Sequence, residues 1–471
     1  MNNSMNLAKR SLVTIDDLST GEIESVFSLA DEMSAGIEQQ SQLCKGKIMA
    51  SLFFEPSTRT RLSFEAAMYR LGGNVITAVD IGATSLAKGE SLADMARIVG
   101  SYADIIVIRH PWEGAAKVVA DYAGVPVINA GDGGHQHPTQ TLLDLYTIRK
   151  ERQTIKGLKI ALWGDLKYGR TIHSLIFALA KFGASILFCP SPGLEVPEHI
   201  IRKLVAEYGG DVEVIKASEN KPKTDAFPVD AVYITSSSPH QLAMMPGINF
   251  EVELKKGVDA IYVTRPQKER FTAAEGGDDK KYQVVDKHLL KGKEFSKTLV
   301  MHPLPRVDEL ACDLDTDPRS QYFKQAAHGV PVRMAILALL LGAKSVPVSQ
   351  DDSPAPKIEY HVYRRDSGIK CPNTKCASIQ KSELKYLKPE FKIVNHEPLT
   401  LRCVYCEHGF EPEYIASSEW HEGKLSNKKY HAAASHWTRD IKPENLIIFA
   451  SAAEAEAQGF KPNHYMEGHP K

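Results

Sequence analysis

The sequence lacks the features that mark membrane, secreted and nucleic-acid-binding proteins. Its densest apolar run, Met334–Leu341, is far shorter than the roughly 20 residues that span a membrane. Residues 1–20 contain no charged segment followed by an apolar run, so no secretory signal peptide is expected. The 57 basic residues nearly balance the 58 acidic ones, and a net charge of −1 produces no field that would attract nucleic acid or an anionic membrane. We therefore predict a cytoplasmic protein that binds neither nucleic acid nor membrane.

Cysteine is scarce outside one short segment. Four of the seven cysteines lie between Cys371 and Cys406, and the other three are scattered singly along the chain. The four follow a C-x4-C and a C-x2-C spacing separated by 26 residues, which is typical of two knuckles that hold one closed, structural Zn²⁺. Two disulfides are the alternative, which a reducing cytoplasm disfavours. The predicted ligands of one zinc ion per chain are Cys371, Cys376, Cys403 and Cys406.

Strand-like and helix-like patterns alternate along the first two thirds of the chain. Apolar runs at 47–54 and 158–163 are each followed by apolar side chains at the three- and four-residue spacing of a helix. This alternation favours a parallel sheet with helices on both faces. We therefore predict an α/β fold of two doubly wound parallel-sheet domains, 1–149 and 150–327, the first completed by a helix at 328–343.

The last third of the chain differs in composition from the α/β region. Residues 344–368 are polar and rich in proline, so they are predicted to form a linker. Residues 369–415 contain the four clustered cysteines and are predicted to form a small zinc-binding β domain. Residues 425–471, which contain no cysteine, are predicted to form a small C-terminal α+β module.

An anion site is predicted where the apolar run at 47–54 meets the following helix. A helix N-terminus presents unpaired N–H groups and a partial positive charge, both of which suit phosphate. Ser57 and Thr58 add hydroxyl donors, and Arg59 adds a planar guanidinium that matches phosphate oxygens. An ordinary helix cap would explain one hydroxyl but not Arg59 together with Arg61, so we favour an anion site.

Other cationic or donor side chains follow further predicted strands. Arg109 comes directly after the apolar run at 103–108, and His137 and Arg170 each follow another such run. The carboxyl ends of strands in an open α/β sheet meet at one edge, where ligands bind. One such arginine would usually be a surface charge, but several that converge indicate a binding site.

Seven short motifs, taken in order, resemble the catalytic chain of aspartate carbamoyltransferase. They are Ser57-Thr-Arg-Thr60, Ser85…Lys88-Gly-Glu90, Arg109-His-Pro111, His137-Pro-Thr-Gln140, Gly164-Asp-Leu-Lys-Tyr-Gly-Arg170, Arg265-Pro-Gln267 and His302-Pro-Leu-Pro-Arg306. The resemblance covers about residues 8–343. It implies that carbamoyl phosphate and L-aspartate give N-carbamoyl-L-aspartate and phosphate in pyrimidine synthesis. It also implies that the reaction needs neither a covalent intermediate nor an organic cofactor.

The resemblance further implies roles for individual residues. Carbamoyl phosphate binding falls to Ser57, Thr58, Arg59, Thr60, Ser85, Arg109, His137, Gln140 and the carbonyl of Leu304. L-aspartate binding falls to Lys88, Arg170, Arg265 and Gln267. The catalytic residues it implies are Arg59, Thr60, Lys88, Arg109 and His137. Three of these polarise the reacting carbonyl, an oxyanion-type role in which each donor contributes about 3–4 kcal/mol.

The resemblance also bears on assembly and on the choice of amine substrate. In that family Ser85 and Lys88 reach the active site of a neighbouring subunit, which implies a homotrimer with shared active sites. Whether trimers pair further is left open. Ornithine-specific relatives carry a cysteine in the loop that here reads His302-Pro-Leu-Pro305, and Arg265 and Gln267 suit a second carboxylate. L-aspartate is therefore expected, with a carbamoyltransferase for another amino acid as the alternative.

The cysteine segment resembles the zinc domain of the aspartate carbamoyltransferase regulatory chain. In that chain a nucleotide-binding allosteric domain precedes the zinc domain. Here 27 residues separate Ala343 from Cys371, far too few for such a domain. Whether nucleotides act on this chain is therefore left open, as is the role of extra sequence within 217–257.

Residues 425–471 resemble the small metal-binding domain of the Ada DNA-repair protein. Ser435 and Asn463 stand near two positions where that domain has cysteines. Without those thiolates, a metal-free docking module is predicted, although three histidines remain: His431, His436 and His464.

Two other classes of function stay open at this point. A nucleic-acid binder built on the zinc knuckles is disfavoured, because the chain has balanced charge and no basic stripe. A non-catalytic, zinc-containing scaffold is the second, because a fold does not guarantee activity. The complete set of site motifs favours the enzyme.

Overall fold

The structure is a computed structural model, and it describes residues 4–5, 7–80, 85–156, 159–164, 166–190, 195–208, 212–214, 231–234, 260–263, 285–296, 298–307, 309–347, 358–365, 368–418, 428–435 and 439–463. These residues form two α/β domains, a small antiparallel β domain and a C-terminal α+β module. Within this described part, no helix is both long and apolar enough to cross a membrane.

The first domain is built on four parallel strands. They are β1 (Ile48–Phe53), β2 (Asn74–Val79), β3 (Ile105–His110) and β4 (Val127–Asp132). Their order in the sheet is β2-β1-β3-β4. β1, β3 and β4 are buried on both faces, which explains their largely apolar sequences, whereas β2 is a half-exposed edge strand.

Five helices connect and cover these strands. They are α1 (Thr20–Ala35), α2 (Thr58–Arg70), α3 (Leu92–Tyr102), α4 (Ala115–Tyr122) and α5 (Pro138–Arg152). α1 begins with a capping box, in which the Ser19 hydroxyl accepts the Glu22 N–H at 3.1 Å and the Glu22 carboxylate accepts the Ser19 N–H at 2.8 Å.

The second domain contains six parallel strands and two described helices. The elements, in chain order, are β5 (Lys159–Gly164), α6 (Arg170–Lys181), β6 (Ser185–Pro190), α7 (Glu198–Tyr208), β7 (Val212–Val214), β8 (Ala231–Ile234), β9 (Ala260–Val263) and β10 (Leu299–Met301). The sheet order is β10-β9-β8-β5-β6-β7. The predicted pair of parallel-sheet domains is therefore confirmed.

Helix α8 (Tyr322–Leu340) returns the chain to the first domain, where it packs against α1, α2 and α5. It begins before the predicted start at residue 328. The early turns are less apolar than the rest, and the helix continues through Pro331, so its beginning is not visible from the apolar run alone.

The C-terminal part forms two small sheets. The first is antiparallel, in the order β11 (Val362–Tyr363), β12 (Phe391–His396), β13 (Leu399–Cys403) and β14 (Gly409–Phe410). The second contains β15 (Tyr414–Ser417), β16 (Lys429–Ala432), β17 (Leu446–Phe449) and β18 (Lys461–Pro462), in the order β17-β15-β16-β18, with α9 (Ala452–Ala457) packed on it.

Two predicted boundaries change as a result. The predicted linker 344–368 is too long, because Val362–Tyr363 pairs with β12. The predicted start of the C-terminal module at residue 425 is too late, because Tyr414 already pairs with strands of that module. Both strands are short and adjoin polar sequence, so composition did not reveal them.

Buried apolar side chains form two main cores. One lies between α1, α2, α5, α6 and α8. The other begins on the opposite face of the first sheet, beneath α3 and α4, and continues through the cysteine domain into the C-terminal module. The C-terminal domains are therefore packed onto the α/β region rather than tethered to it.

Candidate active site and metal centre

The N-terminus of α2 lies at the carboxyl edge of the first sheet, because β1 ends at Phe53 and α2 starts at Thr58. The Ser57 hydroxyl makes no capping hydrogen bond to the helix. Arg59 is exposed and Thr60 is buried. Helix N–H groups, hydroxyls and a guanidinium thus occur together, an arrangement that suits the predicted anion.

Arg109 lies near the end of β3, at the same edge. Its Nη1 donates to the carbonyl of Ala130 at 3.2 Å, and its Nη2 donates to Glu55 Oε1 at 3.2 Å. Gly131 makes this position possible. Its φ is +115°, and a Cβ there would lie 2.8 Å from Arg109 Nη1.

Glu55 joins the predicted phosphate side of the site to the predicted aspartate side. Arg170, the first residue of α6, donates from Nη1 to Glu55 Oε2 at 3.0 Å and to the carbonyl of Gly133 at 2.8 Å. Arg109 and Arg170 therefore lie on either side of one carboxylate. Glu55 offsets one of their two positive charges, so a net positive charge remains where two anionic substrates are expected.

His137 caps α5 at the edge of the first sheet. Its N–H donates to the Ser174 hydroxyl at 2.8 Å, which ties it to α6 of the second domain. Burial, reinforced by the positive charges of Arg109 and Arg170, holds the pKa of His137 well below its usual value. The imidazole is therefore neutral at pH 7 and offers one N–H donor to a substrate oxygen.

A chain of buried hydrogen bonds connects Gln140 to the loop after β10. Gln140 Nε2 donates to Asp144 Oδ1 at 2.8 Å, and Gln325 Nε2 donates to the same oxygen at 3.1 Å. Gln325 Oε1 in turn accepts the N–H of His302 at 2.9 Å. The network fixes the position of the His302 loop relative to α5.

The loop that starts at His302 presents the carbonyl predicted to contact substrate. The His302 ring is hydrogen-bonded to Glu309 at 2.9 Å, and its Nδ1 accepts the N–H of Leu304 at 2.8 Å. Leu304 has a φ of +55°, and its bond to Pro305 is cis. Hydrogen bonds at both ring nitrogens thus fix the His302 side chain, two residues before Leu304.

The other predicted site residues, Ser85, Lys88, Arg265 and Gln267, lie in two further segments of the chain. Ser85–Lys88 forms a short 3-10 helix beyond β2, and Lys88 is exposed at its end. Arg265 and Gln267 lie outside the described residues. The structure therefore brings together the side chains predicted for the phosphate side and one arginine predicted for the aspartate side, and the role of every predicted site residue stays a prediction.

Sequence reasoning missed three residues that shape the site. Glu55 stands between β1 and Ser57, and its place beside the anion motif was the available signal. Gly131 makes room for Arg109, and Ser174 holds His137. No sequence signal marked the contact with Ser174, which depends on how the two domains pack.

The four clustered cysteines form the predicted metal centre. They are buried and unpaired as disulfides, and their sulfurs lie within 4.8 Å of one another. Sγ atoms are 3.6 Å apart for Cys371 and Cys406 and 3.8 Å apart for Cys376 and Cys403. Thiolates bound to zinc at about 2.3 Å in a tetrahedron are separated by about 3.8 Å, so the donor set fits Zn²⁺.

This metal-binding domain docks against α4 and the segment before it. The Glu113 N–H donates to the carbonyl of Lys375, and the Glu113 carbonyl accepts the Ala377 N–H, both at 2.9 Å. Asn373 Nδ2 donates to Glu113 Oε2 at 2.6 Å. Gly114, with a φ of +83°, lies so close to Tyr405 that a Cβ would be 2.7 Å from its backbone.

A buried charged residue, His135, lies at the same interface. It belongs to residues 133–136, which we call the 133–136 turn. The His135 ring is 2.9 Å from Asp132 Oδ2 and 3.2 Å from Glu407 Oε2. Burial alone would lower the pKa of His135, but the two carboxylates outweigh it and raise the pKa well above its usual value. His135 is therefore an imidazolium at pH 7, in contrast to the neutral His137.

A cavity of about 560 Å³ lies between the second domain and the metal-binding domain. Tyr168, His173, His199 and His408 are among its lining residues. None of the residues predicted to bind carbamoyl phosphate lines it. The converging arginines at the sheet edges, rather than this cavity, mark the candidate active site.

The C-terminal module contributes no metal cluster within the described residues. His431 Nδ1 is 2.9 Å from Asn463 Nδ2. The four cysteines are the one described group of cysteine, histidine or acidic side chains close enough to hold an ion. His436 and His464 lie outside the described residues, so the metal-free docking module stays a prediction.

Three family models match the chain. The carbamoyl-phosphate-binding domain of aspartate/ornithine carbamoyltransferases matches residues 10–150, and their Asp/Orn binding domain matches residues 156–340. The metal-binding domain of the aspartate carbamoyltransferase regulatory chain matches residues 365–416. Three models in this order describe a catalytic region followed by a regulatory-type metal domain.

Individual proteins match along the catalytic region. The aspartate carbamoyltransferase catalytic subunit of Thermoplasma acidophilum is 44% identical over 344 residues, 71% of this chain and 99% of its own length. That of Thermococcus kodakarensis is 46% identical over 341 residues, 72% of this chain and 98% of its own.

Solved structures match over the same region. The catalytic subunit of M. jannaschii aspartate transcarbamoylase superposes with a TM-score of 0.56 at 43% identity, covering 71% of this chain and 98% of that one. The Trypanosoma cruzi enzyme, solved with carbamoyl phosphate and aspartate, gives 0.58 at 36% identity with the same coverage. The chain therefore belongs to the aspartate carbamoyltransferase family, with a metal-binding domain of the regulatory-chain type joined to its catalytic region.

Proposed function

We propose that the site at the two sheet edges transfers the carbamoyl group of carbamoyl phosphate to the amine of L-aspartate. The products are N-carbamoyl-L-aspartate and phosphate, as needed for pyrimidine synthesis. One observation carries the proposal, namely that Glu55 holds Arg109 and Arg170 on either side of a single carboxylate. Two guanidinium groups converging from separate domains suit two anionic substrates that must meet.

The phosphate of carbamoyl phosphate binds the start of α2. Ser57, Thr58 and Thr60 supply donors there, and Arg59 and Arg109 supply charge. Glu55 already occupies part of the Arg109 guanidinium, so an incoming phosphate competes with Glu55 for it. Because Glu55 also pairs with Arg170, its displacement from Arg109 would couple binding of carbamoyl phosphate to the position of Arg170.

The carbonyl of carbamoyl phosphate is polarised by Thr60, Arg109 and the neutral imidazole of His137. The aspartate amine attacks the carbonyl carbon, and negative charge builds on the oxygen that these donors face. The bond to the phosphate oxygen then breaks, and the leaving phosphate accepts the amine proton. Gln140 and the Leu304 carbonyl hold the carbamoyl NH2, so orientation and electrostatics supply the rate without a covalent intermediate.

L-aspartate is bound by Arg170, with Arg265 and Gln267 on its second carboxylate and Lys88 supplied by a neighbouring subunit. Arg170 is held by the Gly133 carbonyl and Glu55, which supports a fixed orientation for the carboxylate it binds. A cationic amino acid such as L-ornithine would be repelled by these arginines.

A homotrimer with shared active sites follows from the role given to Lys88. The exposed surface supports it, because α2 presents Leu62 and Tyr69, which are 51% and 59% exposed, beside the open edge of β2 with Ile76 and Val79. Apolar side chains grouped next to an unpaired strand are typical of a subunit interface.

The cysteine domain binds one structural zinc ion per chain. All four ligand positions are filled by thiolates, which leaves no open position for catalysis. The metal supplies a rigid link between the two cysteine pairs. Reduced thiolates suit a reducing cytoplasm, where we place the protein.

The decisive experiment is an assay of the purified protein for carbamoyl-amino-acid formation. With millimolar carbamoyl phosphate we expect product from L-aspartate and none from L-ornithine. Colorimetric detection of the carbamoyl group measures both. No product from either amine would support the non-catalytic scaffold, and product from L-ornithine alone would reassign the amine substrate.

A further inference from the structure

Glu407, the residue after the last zinc-binding cysteine, contacts both halves of the α/β region. Its Oε2 lies 3.2 Å from His135 Nε2 and accepts a hydrogen bond from Gln136 Nε2 at 3.3 Å. Its Oε1 accepts a hydrogen bond from Lys203 Nζ at 2.7 Å. His135 and Gln136 belong to the 133–136 turn of the first domain, and Lys203 belongs to α7 of the second. One carboxylate of the metal-binding domain thus touches both substrate domains.

The 133–136 turn is connected directly to the candidate active site. The Gly133 carbonyl accepts a hydrogen bond from Arg170 Nη1 at 2.8 Å, and His137 follows the turn in the chain. Asp132 also stabilises the turn, because its Oδ1 accepts the backbone N–H of Gln136 at 3.0 Å. A displacement of the turn would therefore move His137 and a partner of Arg170 together.

The contact between Glu407 and Lys203 is also short and buried. Lys203 Nζ lies 2.7 Å from Asp16 Oδ2 and 2.7 Å from Glu407 Oε1, and its side chain is 5% exposed. Losing one of two carboxylates around a buried ammonium is unfavourable, so Glu407 holds α7 in place. Glu407 itself has a φ of +56°, which residues with a side chain rarely adopt. Such a backbone persists where the surrounding structure determines it.

We propose that Glu407 is a positioning residue for carbamoyl transfer, an inference that rests on the proposed function. Its carboxylate fixes the position of the 133–136 turn, and the turn fixes the positions of His137 and Arg170. Glu407 itself contacts neither substrate. Because Glu407 follows the predicted zinc ligand Cys406, a bound metal would fix the backbone from which its carboxylate extends. The metal-binding domain therefore supports the active site of its own chain.

The test compares Glu407→Gln with Glu411→Gln in the full-length protein. Glu411 is a matched control, because it pairs with Arg202 of α7 at 2.8 Å and has no described contact with the 133–136 turn. We expect Glu407→Gln to raise KM for L-aspartate and to lower kcat/KM about 10- to 100-fold. We expect Glu411→Gln to stay within about twofold of wild type.

A binding measurement separates positioning from loss of folded protein. The Trypanosoma cruzi enzyme has been solved with N-(phosphonacetyl)-L-aspartic acid, which serves as the probe. Its Kd, measured by calorimetry on folded protein, should weaken about tenfold in Glu407→Gln and not in Glu411→Gln. A purely structural role would lower the fraction of binding sites and leave their Kd unchanged.

His135→Gln changes the other partner of the same contact and leaves the metal-binding domain unaltered. It therefore replaces Glu407→Gln in the test if that variant does not fold. If Glu407 acts through His135, the double variant should lose no more than the worse single variant. Wild-type KM and probe affinity in His135→Gln, or in folded Glu407→Gln, would overturn the inference. Lack of product from the wild-type protein would instead refute the proposed function.

Discussion

Gly131 shapes the candidate site through the absence of a side chain. We expect Gly131→Ala to reduce kcat/KM about 100-fold, because its Cβ would meet Arg109 Nη1 at 2.8 Å and displace the guanidinium. Gly124→Ala is the matched control, since Gly124 also has a positive φ, +69°, but has open space around it. Both variants should lose about 1–2 kcal/mol of stability from the backbone conformation alone. Equal activity in the two variants would contradict the role given to Arg109.

His110 makes the stability of the first domain sensitive to acid. Burial lowers its pKa to about 4, although the Asp132 and Glu55 carboxylates oppose this. The unfolded chain binds this proton at about pH 6.5, so the neutral ring stabilises the fold above that pH. The contribution disappears as the pH falls from about 6.5 to about 4, and amounts to about 3 kcal/mol in total.

His110→Asn should therefore flatten the pH dependence of unfolding while preserving an acceptor for the Trp112 N–H, now 3.0 Å from His110 Nδ1. The measurement is the urea midpoint between pH 4.5 and pH 7. The wild-type midpoint should fall more steeply with acid than that of the variant. His396→Asn, which changes an exposed histidine on β12, should follow the wild-type curve. Parallel curves for His110→Asn and wild type would show that His110 does not carry the effect.

At the scale of elements, β13 links the metal centre to its sheet, because the strand ends at the ligand Cys403. We expect about one zinc per wild-type chain and loss of that zinc in Cys403→Ser, since three thiolates no longer close the tetrahedron. Cys312→Ser is the control, because Cys312 is exposed and lies outside the cluster. Elemental analysis after dialysis measures both. Retention of a full equivalent by Cys403→Ser would refute the four-thiolate site.

The sequence could predict the elements that obey local rules. β1 and β3 were visible as apolar runs because both of their faces are buried. The approach of Arg109 and His137 followed from the rule that parallel strands end at a common edge. The short strands Val362–Tyr363 and Tyr414–Ser417 were not assigned to their sheets, because pairing with distant strands, rather than local composition, makes them strands.

At the scale of the whole molecule, the contacts that join domains were beyond prediction from sequence. Glu55 and Arg170 are 115 residues apart in the chain, and Lys203 and Glu407 are 204 apart. Each pair depends on how separately folded units dock, and a single charged residue carries no signal of its partner. The resemblance supplied the roles of the arginines but not the carboxylates that hold them.

Whether active sites are shared between subunits is a property of the whole assembly and not of a single chain. Lys88 is exposed beyond the edge strand β2, which itself exposes Ile76 and Val79. If a neighbour's Lys88 completes the site around Arg109, then Lys88→Ala and Arg109→Ala each inactivate a homotrimer. Co-expression of the two differently tagged variants should nevertheless restore activity. In a ring with heterologous interfaces each mixed trimer contains one site with both native residues.

A random equal mixture should therefore recover about a quarter of the wild-type sites, and the mixed trimers purified from it about a third, whereas mixing after assembly, without subunit exchange, should recover none. The carbamoyl-aspartate assay on doubly affinity-purified mixed trimers measures the recovery, and solution mass confirms the trimer. A control mixture of wild-type and Arg109→Ala subunits should retain activity in proportion to its wild-type chains. Inactive mixed trimers beside an active control would place Lys88 and Arg109 in the same subunit's site and remove the need for the neighbour.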